Sequence, residues 1–337
     1  MEPNYVSSAQ TVQQHILQLA DYLNSRVLGQ NGLVSKLLIA LLADGHLLVE
    51  GAPGLAKTRA VKELSAGVEG NFHRIQFTPD LLPGDLTGTD VYHPEDGSFV
   101  FLPGPIFHHL LLADEINRAP AKVQSALLEA MAERQVTIGS KTYPLPELFL
   151  VMATQNPIEQ EGTYPLPEAQ LDRFLMYVKI AYPDALVERD ILALARNEAL
   201  SANGLSNTST AKDEPIQPLS QRTLFEARQQ VLNVFTSDAL ENYIVQLVVA
   251  TRNPNQYSDK LARWLRFGAS PRATIALDRC SKAHAWLAGR DYVTPEDIHV
   301  IAHDVLRHRI LLTFEAEAEG ISSDDFIDEL LRQVALP

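Results

Sequence analysis

GAPGLAKT, residues 51–58, is the stretch of sequence that decides the fold of this chain. It follows the apolar run HLLVE at residues 46–50 and precedes a helix-like stretch at residues 59–66. The order of strand, glycine-bearing loop, Lys-Thr and helix is the layout of a phosphate-binding loop. In such a loop, backbone N–H groups surround phosphate oxygens and the helix dipole points at the same anion. The residues predicted to hold a nucleotide are Gly51, Ala52, Pro53, Gly54, Leu55, Ala56, Lys57 and Thr58.

Two side chains of this loop receive specific roles from the pattern. Lys57 is predicted to reach the β- and γ-phosphates, and the hydroxyl of Thr58 to coordinate Mg²⁺. Ala56 departs from the strict pattern, which has glycine at that place. Because alanine at the start of a helix is sterically mild, we expect the loop to close. The pattern alone leaves open that the segment is only a surface turn.

The composition is typical of a soluble globular protein with one large or two ordinary domains. The chain has 337 residues, of which 46% are hydrophobic and 21% charged. A net charge of −14 argues against a protein whose main task is to bind DNA or RNA. The sequence has no apolar run of bilayer length, no signal-peptide pattern and one cysteine, Cys280. We therefore expect a cytoplasmic protein without an internal disulfide, in which Cys280 is buried.

The chain divides into an α/β part and a helical part. In residues 1–183, short apolar runs alternate with helical stretches, which predicts a mostly parallel sheet covered on both faces. Residues 90–101 and 135–143 interrupt this core and predict two hairpin inserts. Residues 184–220 predict a helix followed by a polar linker. Residues 221–337 predict a smaller helical domain, in which Thr294 is expected to be the N-cap of a helix.

An acidic pair follows one of the predicted strands. Residues 110–113 are apolar, and Asp114 and Glu115 come directly after them. If this strand lies next to the strand before the phosphate loop, both acids lie at the carboxyl edge of the sheet, where α/β folds bind ligands. Asp114 is then predicted to hold Mg²⁺, and Glu115 to polarise the attacking water as general base. By themselves, the two acids also fit the solvated end of a strand.

Three further residues complete the predicted site. Asn156 follows an apolar run, where its amide could orient the water or contact the γ-phosphate, although it also fits a turn before Pro157. Arg173 precedes the last predicted core strand, and Arg272 opens a helix of the second domain. Phosphoryl transfer needs positive charge on the departing phosphate, which arginines supply. Each arginine taken singly also fits a surface ion pair.

In order along the chain, these segments resemble the MoxR family of AAA+ ATPases. GAPGLAKT resembles the family's Walker A, in which Ala before the Lys is usual, and LLLADEINRAP at residues 110–120 resembles its Walker B. MATQNP at residues 152–157 resembles sensor 1. EAQLDRF at residues 168–174 resembles the arginine-finger segment, and GASPRA at residues 268–273 resembles sensor 2. Val27 begins VLGQ, which resembles the segment that contacts adenine.

The resemblance runs from about residue 5 nearly to the carboxyl terminus and implies an AAA+ core followed by a small helical lid. The resemblance implies that the hairpin at residues 90–101 is a helix-2 insert and that the hairpin at residues 135–143 is a pre-sensor-1 insert. The family also implies a homo-oligomer, commonly a hexameric ring, with the active site between subunits and with ATP and Mg²⁺ as cofactors. Its catalytic residues correspond here to Glu115, Asn156, Arg173 and Arg272.

By the same resemblance, we expect an ATPase that remodels or matures partner protein complexes, including the insertion of metal cofactors. Its partners are expected to be protein clients, often with a von Willebrand factor A domain protein. A nucleotide-gated assembly scaffold stays open as an alternative. A nucleic-acid or chelatase-type motor is disfavoured by the acidic charge and by the lack of a basic, aromatic-rich stretch. The sequence leaves open whether Arg272 acts on the nucleotide of its own subunit or of a neighbour.

Overall fold

A computed structural model describes residues 4–95, 97–157, 162–202 and 216–336, with the backbone alone for residues 4–10 and 197–202. Most of the predicted linker within residues 184–220 lies outside the described residues. The strands form one central sheet and three two-stranded ribbons. They are β1 (Leu47–Glu50), β2 (Phe72–Gln76), β3 (Gly88–His93), β4 (Ser98–Pro103), β5 (Leu110–Asp114), β6 (Gln135–Ile138), β7 (Lys141–Pro144), β8 (Leu150–Gln155), β9 (Met176–Lys179), β10 (Leu265–Phe267) and β11 (Leu311–Leu312).

The helices precede, alternate with and follow these strands. Those of the first half of the chain are α1 (Asn4–Arg26), α2 (Asn31–Leu42), α3 (Lys57–Gly67), α4 (Pro83–Thr87), α5 (Ala121–Glu133) and α6 (Glu168–Leu171). Those of the second half are α7 (Ala185–Ala202), α8 (Gln221–Leu232), α9 (Asp238–Ala250), α10 (Asp259–Trp264), α11 (Pro271–Leu287), α12 (Pro295–Leu306), α13 (Phe314–Ala318) and α14 (Ser323–Gln333). No helix in the described ranges is long and apolar enough to cross a membrane.

The central sheet has the strand order β2-β5-β8-β1-β9, and every neighbouring pair is parallel. This confirms the predicted parallel sheet. The condition that the acidic strand lies next to β1 is not met, because β8 lies between β1 and β5. Since parallel strands end at the same edge, the phosphate loop after β1, the acids after β5 and Asn156 after β8 still come together.

Apolar side chains of the sheet alternate between two cores on its opposite faces. Leu110 and Leu112 of β5 belong to a core that contains α1, α2 and α3, whereas Leu111 and Ala113 belong to a core that contains α5. Burial on both faces explains why these strands read as continuous apolar runs. The first core continues through the helices of the second half, so the domain boundaries at residues 183 and 220 stay predictions.

Both predicted hairpins are present. β3 and β4 pair from Gly88 opposite Pro103 to His93 opposite Ser98, which extends the predicted hairpin by two residues at each end. β6 and β7 form the second hairpin, as predicted. Phe101 of the first hairpin stacks on Tyr143 of the second, with ring centroids 4.2 Å apart. The two inserts therefore touch each other.

The second half is helical, as predicted, but contains short elements that the sequence pattern does not indicate. These are α10, α13 and the antiparallel ribbon β10–β11. Cys280 is fully buried in α11, and burial raises the pKa of its thiol to about 12. This confirms that Cys280 packs as a small apolar residue.

One buried carboxylate stabilises the start of α12. Thr294 is the N-cap, as predicted, and its backbone N–H donates to Oδ2 of Asp297 at 2.7 Å. Arg290 also donates to Oδ2 of Asp297 at 2.7 Å, and His284 Nδ1 lies 2.6 Å from Oδ1. Burial raises the pKa of Asp297, but the hydrogen bonds from Arg290, Thr294 and His284 outweigh it and bring the pKa down to about 2.

Replacing Asp297 by Asn is expected to lower the free energy of unfolding by about 2–3 kcal/mol at pH 7. Asparagine has no negative charge, and its NH₂ group replaces one of the two oxygens that accept hydrogen bonds here. The wild-type contribution is complete above the ordinary carboxyl pKa of 3.8 and is lost as the pH falls through about 2. Urea unfolding at several pH values should therefore show the difference between wild type and variant shrinking below about pH 4. A difference that stays constant with pH would show that the charge of Asp297 does not stabilise the lid.

Candidate active site

The phosphate loop closes between β1 and α3 with two residues in the left-handed region. Gly54 has a φ of 84° and Ala56 a φ of 58°, and α3 begins at Lys57. Glycine adopts such angles freely, whereas a residue with a Cβ atom pays roughly 1–2 kcal/mol. The expectation that alanine is mild at this position therefore needs correction, since its backbone angle is unfavourable. The loop closes despite this cost.

The loop forms one wall of a cavity of about 390 Å³ at the carboxyl edge of the sheet. The other wall comes from β2, β5 and the residue after β8. This cavity brings together six of the eight predicted loop residues, the acidic pair and the predicted amide. Its lining consists of Pro53, Gly54, Leu55, Ala56, Lys57, Thr58, Arg59, Arg74, Gln76, Asp114, Glu115 and Asn156.

Lys57 holds a partly desolvated positive charge in this cavity. Its Nζ atom donates a hydrogen bond to the carbonyl oxygen of Gly51 at 2.6 Å. Burial lowers the pKa of Lys57, while the charges of Asp114, Glu115 and Glu50 act in the opposite direction. Because an added anion would stabilise this ammonium group, Lys57 is suited to bind phosphate oxygens.

Asp114 is buried at the end of β5, and both of its oxygens accept hydrogen bonds. Oδ1 accepts from the hydroxyl of Thr154, on the intervening strand β8, at 2.6 Å. Oδ2 accepts from Arg74 on β2, at 2.7 Å from Nη2 and 3.1 Å from Nε. Strands on both sides of β5 therefore hold the carboxylate in place.

Glu115 follows with a left-handed backbone, at a φ of 57° and a ψ of 51°. Its backbone N–H donates to Thr154 Oγ1 at 2.9 Å. Its side-chain Oε2 accepts from Gln76 at 2.9 Å and from Arg118 at 3.3 Å. A non-glycine residue with positive φ is strained, and such residues cluster at functional sites. The turn after β5 directs this carboxylate into the cavity.

The remaining predicted nucleotide contacts lie behind or beside the cavity. Gly51 packs so closely on Ile180 that a Cβ atom would come within 2.3 Å of its side chain. Ala52 is buried and does not line the cavity. The side chain of Val27 is buried in the hydrophobic core, so a contact with adenine would have to come from its backbone.

Arg173 and Arg272 do not line this cavity. They line a second one of about 310 Å³, beside residues 44–46 before β1 and residues 172–175 before β9. That cavity is therefore at the amino edge of the sheet. His46 and Gly51 are separated by the length of β1, roughly 16 Å at about 3.3 Å per residue. The two arginines are thus brought together with each other but not with the phosphate loop.

Asp172, which forms a buried ion pair with Arg309, joins the two arginine segments. Arg309, which is 8% exposed, donates from Nε to Asp172 Oδ1 at 2.8 Å. Asp172 Oδ2 accepts from Ser270 at 2.8 Å and lies 3.5 Å from Arg272 Nη1. Arg173 itself donates to the carbonyl oxygen of Leu128, within α5. Asp172 therefore connects the segment that carries Arg173 to the helical domain.

Backbone strain concentrates at these two cavities. The described non-glycine residues with positive φ are Asp44, Ala56, Glu115 and Arg134. Ala56 and Glu115 line the phosphate-loop cavity. Asp44 and Arg134 line the second cavity, the arginine cavity that also holds Arg173 and Arg272, and Arg134 Nη2 lies 2.8 Å from Asp44 Oδ1. Strain of this kind persists where a structure holds functional groups in place.

Comparisons with known proteins agree with this geometry. Residues 46–176 match the family model described as "ATPase family associated with various cellular activities (AAA)", and residues 262–330 match that of the "AAA lid domain". "Chaperone MoxR1" of Mycobacterium tuberculosis is 46% identical over 325 residues, covering 96% of this chain and 83% of that protein. The chain belongs to the MoxR family of AAA+ ATPases.

Two more similarities support MoxR-family membership. "Protein MoxR" of Methylorubrum extorquens is 34% identical over 85% of this chain and 84% of its own length. A crystal structure from Cytophaga hutchinsonii, described as a "putative ATPase", has a TM-score of 0.88 and 47% identity, and the match covers 98% of this chain and 97% of that one. The fold is thus an AAA+ core with a helical lid, and ATPase activity is the activity of the family.

The residues of this MoxR-family ATPase fit a nucleotide with its metal. The cavity offers an ammonium group and the N-terminus of α3 to phosphate oxygens, and Thr58 and Asp114 offer hard oxygen ligands, which Mg²⁺ prefers. Both oxygens of Asp114 already have partners, so a metal would have to share or displace one of them.

The structure of this MoxR-family protein also shows contacts in the candidate site that the sequence did not indicate. Arg74 and Gln76 reach the cavity from the edge strand β2, and Thr154 holds Asp114 from β8. An available signal was the alternation in β2, where Arg74 and Gln76 are two residues apart and exposed on one face. No local pattern indicates that Asp172 contacts Arg309, which lies 137 residues away.

Proposed function

We propose that this protein hydrolyses ATP to ADP and phosphate in a Mg²⁺-dependent reaction that drives the remodelling of partner proteins. The observation that supports this most directly is the cavity that gathers Lys57, Thr58, Asp114, Glu115 and Asn156 at one edge of the sheet. The test is ATP turnover by the purified protein with Mg²⁺ and with excess chelator. Turnover that persists in chelator would contradict the proposal.

Each group has a distinct role in the proposed reaction. Lys57 binds phosphate oxygens, and Asn156 orients the attacking water or contacts the γ-phosphate. Glu115 accepts the proton of that water, and Gln76 and Arg118 hold its carboxylate before nucleotide binds. Magnesium held by Thr58 and Asp114 would neutralise developing charge on the phosphates. The protein mainly supplies position and charge, as phosphoryl transfer requires.

We also propose that the active site is completed by a neighbouring subunit in a ring, commonly a hexamer. Arg173 and Arg272 lie at the opposite edge of the sheet from the phosphate loop of their own chain. A length of roughly 16 Å along β1 exceeds the reach of an arginine side chain. Asp172 contacts the segments of both arginines, which supports the proposal that they act together, from the same subunit, on a neighbour's nucleotide.

The proposed clients are protein complexes that need remodelling or maturation, including metal cofactor insertion, with a von Willebrand factor A domain protein as partner. The name of the mycobacterial relative, a chaperone, supports action on proteins in general. A free, buried Cys280 fits the cytoplasm, which we propose as the site of action. Capture of bound proteins by the Glu115→Gln variant with ATP, followed by their identification, tests this part.

Lys57→Ala is expected to weaken nucleotide binding roughly 10- to 100-fold, because a charge-assisted hydrogen bond to phosphate contributes about 1.5–3 kcal/mol. Calorimetric titration with ADP and Mg²⁺ measures the effect. Lys62→Ala is the matched control, because Lys62 is exposed on the same helix outside the cavity. Equal affinities for the Lys57→Ala variant and wild type would contradict the role of Lys57.

A further inference from the structure

Arg74 carries a charge-assisted contact to the predicted metal ligand. It lies in the middle of β2, opposite Leu112 of β5, with its side chain half-exposed. Both Nη2 and Nε donate to the same oxygen of Asp114, at 2.7 and 3.1 Å. Arginine in an edge strand is ordinary, but this one also lines the cavity of the phosphate loop. It is a positive charge placed where a metal ion is needed.

The contacts of Asp114 leave a metal in competition with Arg74. Its Oδ1 is held by the hydroxyl of Thr154, a buried residue of the central strand β8. Its Oδ2 is held by Arg74, whose side chain is 48% exposed and so can move into solvent. Two cations at one carboxylate repel each other, so the exposed side chain of Arg74 is expected to move away from Asp114 when a metal ion binds there. Arg74 is the side chain that a metal would displace.

We propose that Arg74 is a positioning residue that occupies Asp114 in the metal-free state and competes with Mg²⁺ for it. This inference rests on the proposed function, because it concerns the same metal and nucleotide. While Mg²⁺ is absent, Arg74 neutralises Asp114, which would otherwise repel the phosphates. When Mg²⁺ binds, Arg74 leaves the carboxylate, and the metal takes over the neutralising charge.

The contacts of Arg74 continue to the general base. Its Nη2 donates to Gln76 Oε1 at 3.1 Å, and Gln76 Nε2 donates to Glu115 Oε2 at 2.9 Å. Displacement of Arg74 removes a hydrogen bond from the amide that holds Glu115. Arrival of the metal is thereby linked to the freedom of the group that accepts the proton of water.

The proposal gives Arg74→Ala two effects of opposite sign. Without the competing cation, the Mg²⁺ concentration that half-saturates the ADP complex should fall about three- to tenfold. In chelator, ADP binding should weaken by a similar factor, because the charge of Asp114 then faces the phosphates without compensation. A purely structural role for Arg74 would weaken binding in both conditions alike.

The experiment titrates MgCl₂ into the full chain with saturating fluorescent ADP analogue, starting from chelated metal, for wild type, Arg74→Ala, Arg74→Lys and Arg118→Ala. Arg118 is the matched control, because it pairs with the neighbouring carboxylate Glu115 at 3.3 Å. Arg74→Lys keeps the charge and should lie between wild type and Arg74→Ala. Thermal unfolding midpoints show whether each variant is folded.

The outcomes separate this inference from the proposed function. A shift toward lower Mg²⁺ in Arg74→Ala but not in Arg118→Ala supports the competition. Equal shifts in both variants, or weaker Mg²⁺ binding by Arg74→Ala, would overturn it, because the effect would then be general electrostatics or a supporting role for Arg74. If wild type itself shows no Mg²⁺-dependent nucleotide binding, the proposed function fails first.

Discussion

Glu115→Gln is expected to lower the rate of ATP hydrolysis by about 10²–10⁴-fold, the usual contribution of a general base, while nucleotide binding is retained. Glu115 lies in the phosphate-loop cavity with its Oε2 held by Gln76 and Arg118. Glutamine keeps the size of the side chain and its hydrogen-bonding oxygen, but it cannot accept the proton of the attacking water. Steady-state turnover and ADP titration measure the two effects separately.

The control for this substitution is Glu129→Gln, since Glu129 is an exposed residue of α5. That variant should hydrolyse ATP like wild type. Full turnover by Glu115→Gln would rule out Glu115 as the base. Loss of nucleotide binding together with turnover would show that Glu115 supports the shape of the site, because its left-handed backbone would then be the feature that matters.

Arg173→Ala is expected to lower turnover by about 10³-fold or more, the range of arginine fingers, without weakening nucleotide binding to the same subunit. The reason is its position in the arginine cavity at the amino edge of the sheet, remote from the phosphate loop of its own chain. Turnover is measured at saturating ATP, so that a change in affinity does not contribute.

Two controls accompany Arg173→Ala. Arg222→Ala removes a charge whose side chain is 88% exposed and outside both cavities, and it should leave turnover unchanged. Arg173→Lys keeps the charge but loses the planar fork, so it should recover only part of the rate. Because Arg173 also donates to Leu128, thermal unfolding is needed to show that the variants keep their fold. Wild-type turnover by Arg173→Ala would exclude a catalytic role for Arg173.

Much of the fold follows from local patterns in the sequence. Continuous apolar runs such as residues 110–113 indicate strands buried on both faces, and the structure confirms them. Thr294 before Pro295 indicates the start of α12 in the same local way. The sequence predicts the phosphate loop and the acidic pair at one edge only if their strands are neighbours; β8 lies between them, and they share that edge because all the strands are parallel.

What sequence patterns could not supply was the order of strands and the placement of distant side chains. β8 lies between the loop strand and the acidic strand, and so Thr154 became the partner of Asp114. The contact of Arg74 with Asp114 depends on the register of β2 with β5, which no local signal specifies. The sequence also did not predict the left-handed backbone angle of Ala56, because residue type alone does not determine the φ angle of an alanine.

The location of Arg173 and Arg272 required the structure as well. Both sit in motifs that suggest catalysis, yet only the parallel sheet shows that they lie at its amino edge and the phosphate loop at its carboxyl edge. Asp172 connects the two arginine segments through Ser270, 98 residues away in the sequence, and also pairs with the buried Arg309, 137 residues away. The geometry thus places the two arginines in one cavity, which is separate from the phosphate-loop cavity of their own chain.

The most direct test of a shared active site is ATP turnover by mixtures of Lys57→Ala and Arg173→Ala subunits, at an ATP concentration too low to saturate the Lys57→Ala subunit. If Arg173 acts on a neighbour's nucleotide, mixed assemblies contain interfaces with an intact Lys57 on one side and an intact Arg173 on the other. Random assembly at equal ratio then restores about a quarter of wild-type turnover, because about one interface in four is complete. Absence of rescue at every ratio, in assemblies shown to contain both variants, would contradict the account.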